Sequence, residues 1–318
     1  MKNNCFEVSV VFLTLNAEPY LRRNLQNIEK QTLKPVEVLV IDSESIDNTI
    51  QIAREFSFVK IINIRRTDFD HGGTRHLAVT KSIGDIIVFF SQDVEIFDID
   101  YLQNIVSNFK DDKVAMVYGR QIPRKNATPY EKLIREFNYP ELSKIKTKKD
   151  IANLGIKCFF MSDVCSAYRR NIYYLLGGFE QLTLISEDML IATKAIMNDY
   201  KIIYDAHSTV YHSHSYSFMQ ELRRNFDIGV FLKMYKEYYS NIRVNTEGIE
   251  LVKYVCFGLI KHFLILHCFI FLYICVGKFV GNKIGLYYNR IPKRIIMYLT
   301  SNKNYWNRYF EKQRMGNK

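Results

Sequence analysis

Asp93 stands in "FFSQDVEI", directly after the apolar run Ile86–Phe90. A carboxylate at that address can hold Mg2+ or Mn2+, which bind through one or two carboxylates plus substrate phosphates. A solvated loop acid would read the same way. His212 and His214, in "YHSHS", are two residues apart. On an extended strand they share a face, the arrangement needed to meet one metal or diphosphate. "SEDM", 186–189, sets Glu187 and Asp188 in what reads as the first turn of a helix. There they either complement the helix dipole, for about 0.3–1 kcal/mol, or hold a carboxylate ready to take a proton from an incoming hydroxyl. "DFDHGGTR", 68–75, offers Asp70, His71, Gly72 and a second glycine, then Arg75. Paired glycines let backbone approach a ligand, a helix expected from Thr74 points N–H groups at a phosphate, and Arg75 is a fork-shaped anion donor. Asp42 closes "VEVLVID" and can accept from a base or ribose, or cap its own loop.

Placing these groups together requires a particular set of elements. "VSVVFLTL" (8–15), "VEVLVID" (36–42), "FVKIINI" (58–64) and "DIIVFF" (85–90) are short apolar or β-branched runs, as strands buried on both faces require. A fifth is placed at "VAMVYG" (114–119). Between them "NAEPYLRRNLQNIEKQ" spaces Leu21, Leu25 and Ile28 helically with Pro19 in its first turn, and "SIDNTIQIAREF" follows with Asp47 as an N-cap. This βαβα alternation predicts an α/β fold: an open, mostly parallel sheet with helices on both faces. Ligands of such sheets sit beyond the carboxyl ends of the strands. Leu15 and Asn16, Asp42 and Ser43, the segment Arg65 to Arg75, and Gln92 with Asp93 each follow a strand directly, so they are expected at one edge. Residues 121–157 are polar and Lys-rich and read as an insertion with a helix near 129–142. Beyond it, "CFFMSDVCSAYRRNIYYLLGGF" (158–179) reads as a strand and then a helix, 186–200 as a helix, and 201–217 as a strand that turns histidine-rich.

Composition excludes a disordered chain, with 48% hydrophobic and 24% charged residues. Six cysteines without a CxxC pair, and the lack of a signal peptide before Val8, point to reduced thiols in the cytosol. The charge is uneven. From Leu251 onward there are 12 Lys and Arg and one acid, Glu311, so the whole net charge of +11 lies there and the first 250 residues balance. A neutral body with a basic, aromatic tail points to an anionic partner for the tail. Residues 251–280 are the most apolar in the chain, interrupted by Lys261, His262 and His267. The run of about 16 residues from His262 to Gly277 is short of the roughly 20 that a spanning helix needs. An interfacial helix flanked by Lys283, Arg290, Lys293 and Arg294 is the expectation, with burial in the protein and a true span as alternatives. No nucleic-acid motif is present, and lipid suits the apolar run better than bases do, so nucleic acid is excluded as a partner.

Taken in order, "VSVVFLTLNAEPYLRRNLQNIEKQTLKPVEVLVIDSESIDNT" resembles the opening of family 2 glycosyltransferases with the GT-A fold. "DFDHGGTRHLA", "SQDVE", "SEDM" and "VYHSHSYS" further resemble the bacterial rhamnosyltransferase branch. The resemblance covers about Val8 to Ser217. It implies a GT-A domain over 1–240 (nucleotide-sugar binding in 1–120, acceptor side in 121–240), followed by a helical, membrane-associating region over 241–318. It implies inverting transfer of a sugar, L-rhamnose from dTDP-L-rhamnose, to a glycan or glycolipid acceptor at the cytoplasmic face of the inner membrane, with the protein peripheral. Asp42 would contact the base, and Leu15, Asn16, Ser43, Asp70, His71, Gly72, Arg75 and Gln92 would surround the donor. Asp93 would bind a divalent cation, Mg2+ or Mn2+, with His212 or His214 completing the site. Asp188 would be the base, beside Glu187. Two departures stand out: Ser91 replaces the first acid of the DxD pattern, and His76 stands where relatives carry Asn. A UDP- or GDP-linked donor, or a catalytically silent sugar-nucleotide-binding subunit, are the competing readings.

Overall fold

The computed structural model describes residues 6–240, 242 and 246–316. Among the described residues nine strands form one sheet: β1 (Val8–Thr14), β2 (Glu37–Asp42), β3 (Val59–Asn63), β4 (Ile86–Ser91), β5 (Glu95–Ile96), β6 (Val114–Ile122), β7 (Lys144–Lys146), β8 (Cys165–Arg169) and β9 (Lys201–Tyr211). Their spatial order is β3-β2-β1-β4-β8-β6-β9-β5, with β7 also paired to β9. The first four strands are mutually parallel, as expected of βα alternation. β8 then runs antiparallel between β4 and β6, and β6 is parallel to β9. The mixed direction has a useful consequence. The carboxyl ends of β1, β2, β4, β6 and β9 share one edge with the amino end of β8.

Strand alternation sends side chains to two cores. Val11, Leu39, Ile41, Ile87 and Phe89 face the helices His71–Lys81 and Glu187–Met197. Val10, Phe12, Val38, Val40, Val88 and Phe90 face the helices Glu18–Glu29 and Tyr101–Ser107. The first of those last two buries Leu21, Leu25 and Ile28, the spacing read from sequence, with Pro19 in its first turn. The polar segment 121–157 extends β6, forms the helix Pro129–Asn138, and adds β7 to the sheet.

The apolar stretch 251–280 is not one helix. It breaks into Thr246–Lys261 and Ile265–Gly285, with Phe263 between them in the left-handed region at φ 58°. The two pack on each other through Val255, Leu259, Cys268 and Phe271, and against Tyr130, Leu133 and Ile134 of the Pro129–Asn138 helix. Ile265–Gly285, at 21 residues, is longer than the run of apolar letters suggested, and it is long and apolar enough to cross a membrane. One face of it lies against the helix Phe218–Met234. A Cβ at Gly281 or Gly285 would collide with the carbonyl of Leu222 or Phe226, so only glycine permits this approach. Away from that helix, Leu266, Phe269, Val276 and Phe279 are exposed.

Candidate active site

Two clusters of side chains stand at the shared edge. In the first, Asp93 follows β4, and His212 and His214 follow β9 rather than lying on it. Asp93 Oδ2 is 3.4 Å from His212 Nε2 and 3.0 Å from His214 Nε2, and one ligand atom from each of the three residues lies within 4.8 Å of the others. His212 is buried, and its Nδ1 is 2.9 Å from Gln121 Oε1. That oxygen also accepts from Arg135 Nη1, and Gln121 Nε2 donates to Tyr139 Oη at 2.7 Å and Ser162 Oγ at 2.9 Å. Gln121 is therefore oriented as the acceptor, so Nδ1 of His212 carries the hydrogen and Nε2 turns a bare lone pair toward Asp93. Burial also pushes this imidazole down to about 4, so it is neutral at pH 7. The carboxylate of Asp93, the bare Nε2 of His212 and the neighbouring Nε2 of His214 fit a divalent cation, with Gln121 fixing the His212 tautomer from behind. Arg124 donates to the backbone carbonyl of Asp93 and stacks over Tyr20 at 4.9 Å. Glu95 takes no part; it pairs with Arg23 at 2.7 Å.

The second cluster gathers Arg75, Asp163, Glu187 and Asp188. Arg75 Nε lies 3.0 Å from Asp163 Oδ2, and its Nη1 lies 2.9 Å from Glu187 Oε1. Asp163 accepts further from Ser166 Oγ at 2.9 Å and Tyr168 Oη at 2.5 Å. The backbone N–H of Asp163 donates to Asp188 Oδ2 at 3.2 Å. Burial, with Asp163 and Glu187 alongside, lifts the Asp188 carboxyl well above the usual range. Burial is the largest influence on Glu187 and works against its charge, but Arg75, His71, Arg224 and its own backbone N–H together outweigh it and hold that carboxyl low. Glu187 is thus ionised and paired, while Asp188 is the carboxyl with appetite for a proton. The preceding Ser186 sits in the left-handed region at φ 64°, a strained conformation of the kind that collects at functional sites.

A short chain of contacts joins the clusters. Asp93 faces His212, His212 bonds Gln121, Gln121 bonds Ser162, and the next residue, Asp163, donates to Asp188.

Several expected donor contacts have other partners. The helix begins at His71, not Thr74, and Asp70 is its N-cap, accepting from Gly73 N at 2.7 Å. Asp70 also accepts from Leu182 N at 2.7 Å and Thr183 N at 3.0 Å, so its carboxylate is committed to tying two loops together. Gly72 is required by packing: a Cβ there would strike the carbonyl of Glu180. Arg75 is taken by two carboxylates and is not a free anion donor, whereas His71 is exposed. Asp42 is buried and accepts from Thr14 Oγ1 at 2.9 Å and Ser45 N at 2.8 Å. Gln92 accepts from Leu15 N at 2.6 Å, linking the ends of β4 and β1. Ser43 keeps a buried hydroxyl with no hydrogen-bond partner, and Asn16, at φ 54°, accepts from Ile46 N at 2.9 Å. His76 is accounted for as a neighbour of Tyr173 Oη at 2.8 Å. Sequence reasoning missed Asp163 and Gln121. A lone acid in "CFFMSDVCSAY" and a glutamine ending a strand were the available signals.

A mixed sheet with acids and histidines gathered at its carboxyl edge is the architecture of an α/β enzyme site for an anionic, cation-assisted ligand, and comparison gives the family. The family model "Glycosyl transferase family 2" matches residues 9–176, and the chain belongs to that family. It is 38% identical over 305 residues to the O-antigen chain rhamnosyltransferase RfbN of Salmonella typhimurium, covering 95% of this chain and 96% of that one. It is likewise 38% identical over 283 residues to the O-antigen chain rhamnosyltransferase WbaN of Salmonella anatum, covering 88% and 89%. Among solved structures, the mannosyltransferase PcManGT of Pyrobaculum calidifontis, in complex with GDP-Man and Mn2+, has the same fold. It superposes with a TM-score of 0.61 at 17% identity, covering 88% of both chains.

Proposed function

We propose that the protein moves L-rhamnose from dTDP-L-rhamnose, with inversion, onto a hydroxyl of a lipid-linked O-antigen or surface-polysaccharide precursor. The relatives from Salmonella support the sugar and the acceptor class. The observation that carries the reaction type is the joined pair of clusters, with a proton-accepting Asp188 on one side and a cation-shaped triad on the other. The nucleoside would lie over the ends of β1 and β2, beside Asn16 and the unpartnered Ser43 hydroxyl, and the diphosphate would reach toward Asp93 and His214. Asp93 and both imidazoles would hold the cation, and nitrogen ligands suit Mn2+ better than Mg2+. When bound, such a cation offsets charge gathering on the departing diphosphate oxygens.

On this reading the acceptor oxygen attacks the anomeric carbon on the face opposite the leaving group. The bond from that carbon to the phosphate oxygen breaks, the new carbon–oxygen bond forms, and the hydroxyl proton passes to Asp188. Glu187, paired with Arg75, stays ionised and keeps the guanidinium in place. One displacement inverts the centre without a covalent enzyme intermediate. The exposed apolar face of Ile265–Gly285, with the basic residues around it, would rest on the cytoplasmic leaflet and bring the active site to a membrane-borne acceptor. A panel of dTDP-, UDP- and GDP-linked sugars, assayed with Mn2+ and a glycolipid acceptor, tests the reading. Nucleoside diphosphate should be released from dTDP-L-rhamnose at a rate exceeding the others by about 10²-fold, as expected where a pocket fits the shape of one donor. Turnover of a UDP- or GDP-linked donor alone would refute the choice of sugar, and release from none would favour a silent binding subunit.

A further inference from the structure

The basic tail does more than face outward. Its last segment folds back onto the body and grips the two loops from which the acid cluster hangs. Asn304 Nδ2 donates to the carbonyls of Thr67 and Phe69, at 3.1 Å each, just before the helix that carries Arg75. Asn302 Nδ2 donates to the carbonyl of Leu184 at 3.3 Å, just before the helix that carries Glu187 and Asp188. Asn302 is held in turn. Asn302 Oδ1 accepts from Tyr305 N at 3.0 Å, and Asp227, fully buried in the helix Phe218–Met234, accepts from Thr300 Oγ1 at 2.7 Å and Ser301 N at 2.8 Å. Trp306 and Tyr305 are buried with Leu184, Phe226 and Val230, and Leu182 and Ile185 pack against the same cluster. Asp70 closes the ring by binding the N–H groups of Leu182 and Thr183.

Loops 67–70, 182–185 and 300–305 therefore interlock, and the residues that set Asp188 depend on two of them. Leu182 and Ser186 both lie in the left-handed region, at φ 56° and 64°, so this stretch needs outside support to keep its shape. The clamp uses none of the exposed apolar face of Ile265–Gly285. We infer that Asn302 and Asn304 are positioning residues for catalysis: the C-terminal segment locks the base-bearing loop against the Arg75-bearing loop, a role separate from membrane attachment. The inference rests on the reading of Asp188 as the base.

The test is Asn304→Asp in the full chain, which keeps the side chain's shape and removes its donors. Turnover, donor KM, thermal midpoint and amide hydrogen exchange of residues 66–72 and 182–188 are measured together. The expected result is a fall in kcat of about tenfold or more, as small displacements of reacting groups produce. Donor KM should stay within about twofold, and exchange should rise in both loops and not in the Phe218–Met234 helix. If Asn304→Asp fails to fold, Asn302→Ser provides the same comparison. A wild-type kcat in the variant, loops that stay protected, or a loss of activity that only follows a lowered thermal midpoint would overturn the inference. A failure of the base assignment shows separately, as turnover surviving Asp188→Asn with exchange in both loops unaltered.

Discussion

Three buried or half-buried carboxyl groups around a single guanidinium cannot all carry charge cheaply, so at least one is pressed to hold a proton. Arg75 chooses between them by geometry, since it hydrogen-bonds Glu187, forms an ion pair with Asp163, and leaves Asp188 with only backbone N–H donors, from Asp163 and Met189. Tyr139, Tyr168 and Tyr239 also face this group, all neutral because burial raises their phenols. The sign of the pH dependence follows. A base must be deprotonated to act, so activity falls as pH drops through the raised value for Asp188, above the ordinary carboxylate range. Asp163→Asn removes one neighbouring negative charge and should move this acid limb to lower pH by about one pH unit. A pH–rate profile of kcat/KM checks it, and an unmoved limb would mean that Asp163 does not act on the base electrostatically.

Elements explain both what the sequence revealed and what it hid. Strands β1, β2 and β4 were legible because burial on both faces leaves unbroken apolar runs, and Asp93 and Asp188 were legible because acids abut such runs. Asp163 and Gln121 were not, because their roles arise from β8 running antiparallel between β4 and β6, a pairing between residues far apart in sequence. The start of the helix at His71 was hidden since paired glycines read as a breaker, whereas Gly72 is there to fit beneath the carbonyl of Glu180. Asn302 and Asn304 looked like ordinary tail residues. The break at Phe263 turns one apolar run into two helices, and Phe257, Phe263 and Phe269 are 71%, 90% and 67% exposed. On the proposed reading these rings enter lipid. A variant with Phe257, Phe269 and Phe279 all changed to Ser should lose flotation with anionic vesicles by tenfold or more, since each ring withdrawn from lipid gives up about 1.5–3 kcal/mol. It should still turn over a water-soluble acceptor. Flotation equal to that of the unaltered chain would rule this face out.

At the scale of the whole molecule, a charge-balanced body holds the two clusters, and the tail carrying the net charge of +11 packs on that body and, on the proposed reading, offers a face to a membrane. Residues as distant as Asp93, Gln121, Asp163, Asp188 and His212 meet at one edge because β4, β6 and β9 end there and β8 begins there. The central claim is that the two clusters serve one reaction, with the triad holding the donor and Asp188 taking the proton. The most direct measurement compares Asp188→Asn and Asp93→Asn for Mn2+-dependent donor binding and for sugar transfer. Asp188→Asn should bind donor as the unaltered enzyme does and transfer about 10²–10⁴-fold more slowly, the usual contribution of a general base, while Asp93→Asn should lose the Mn2+-dependent binding itself. Transfer at full rate by Asp188→Asn, or undiminished Mn2+-dependent binding by Asp93→Asn, would contradict the account.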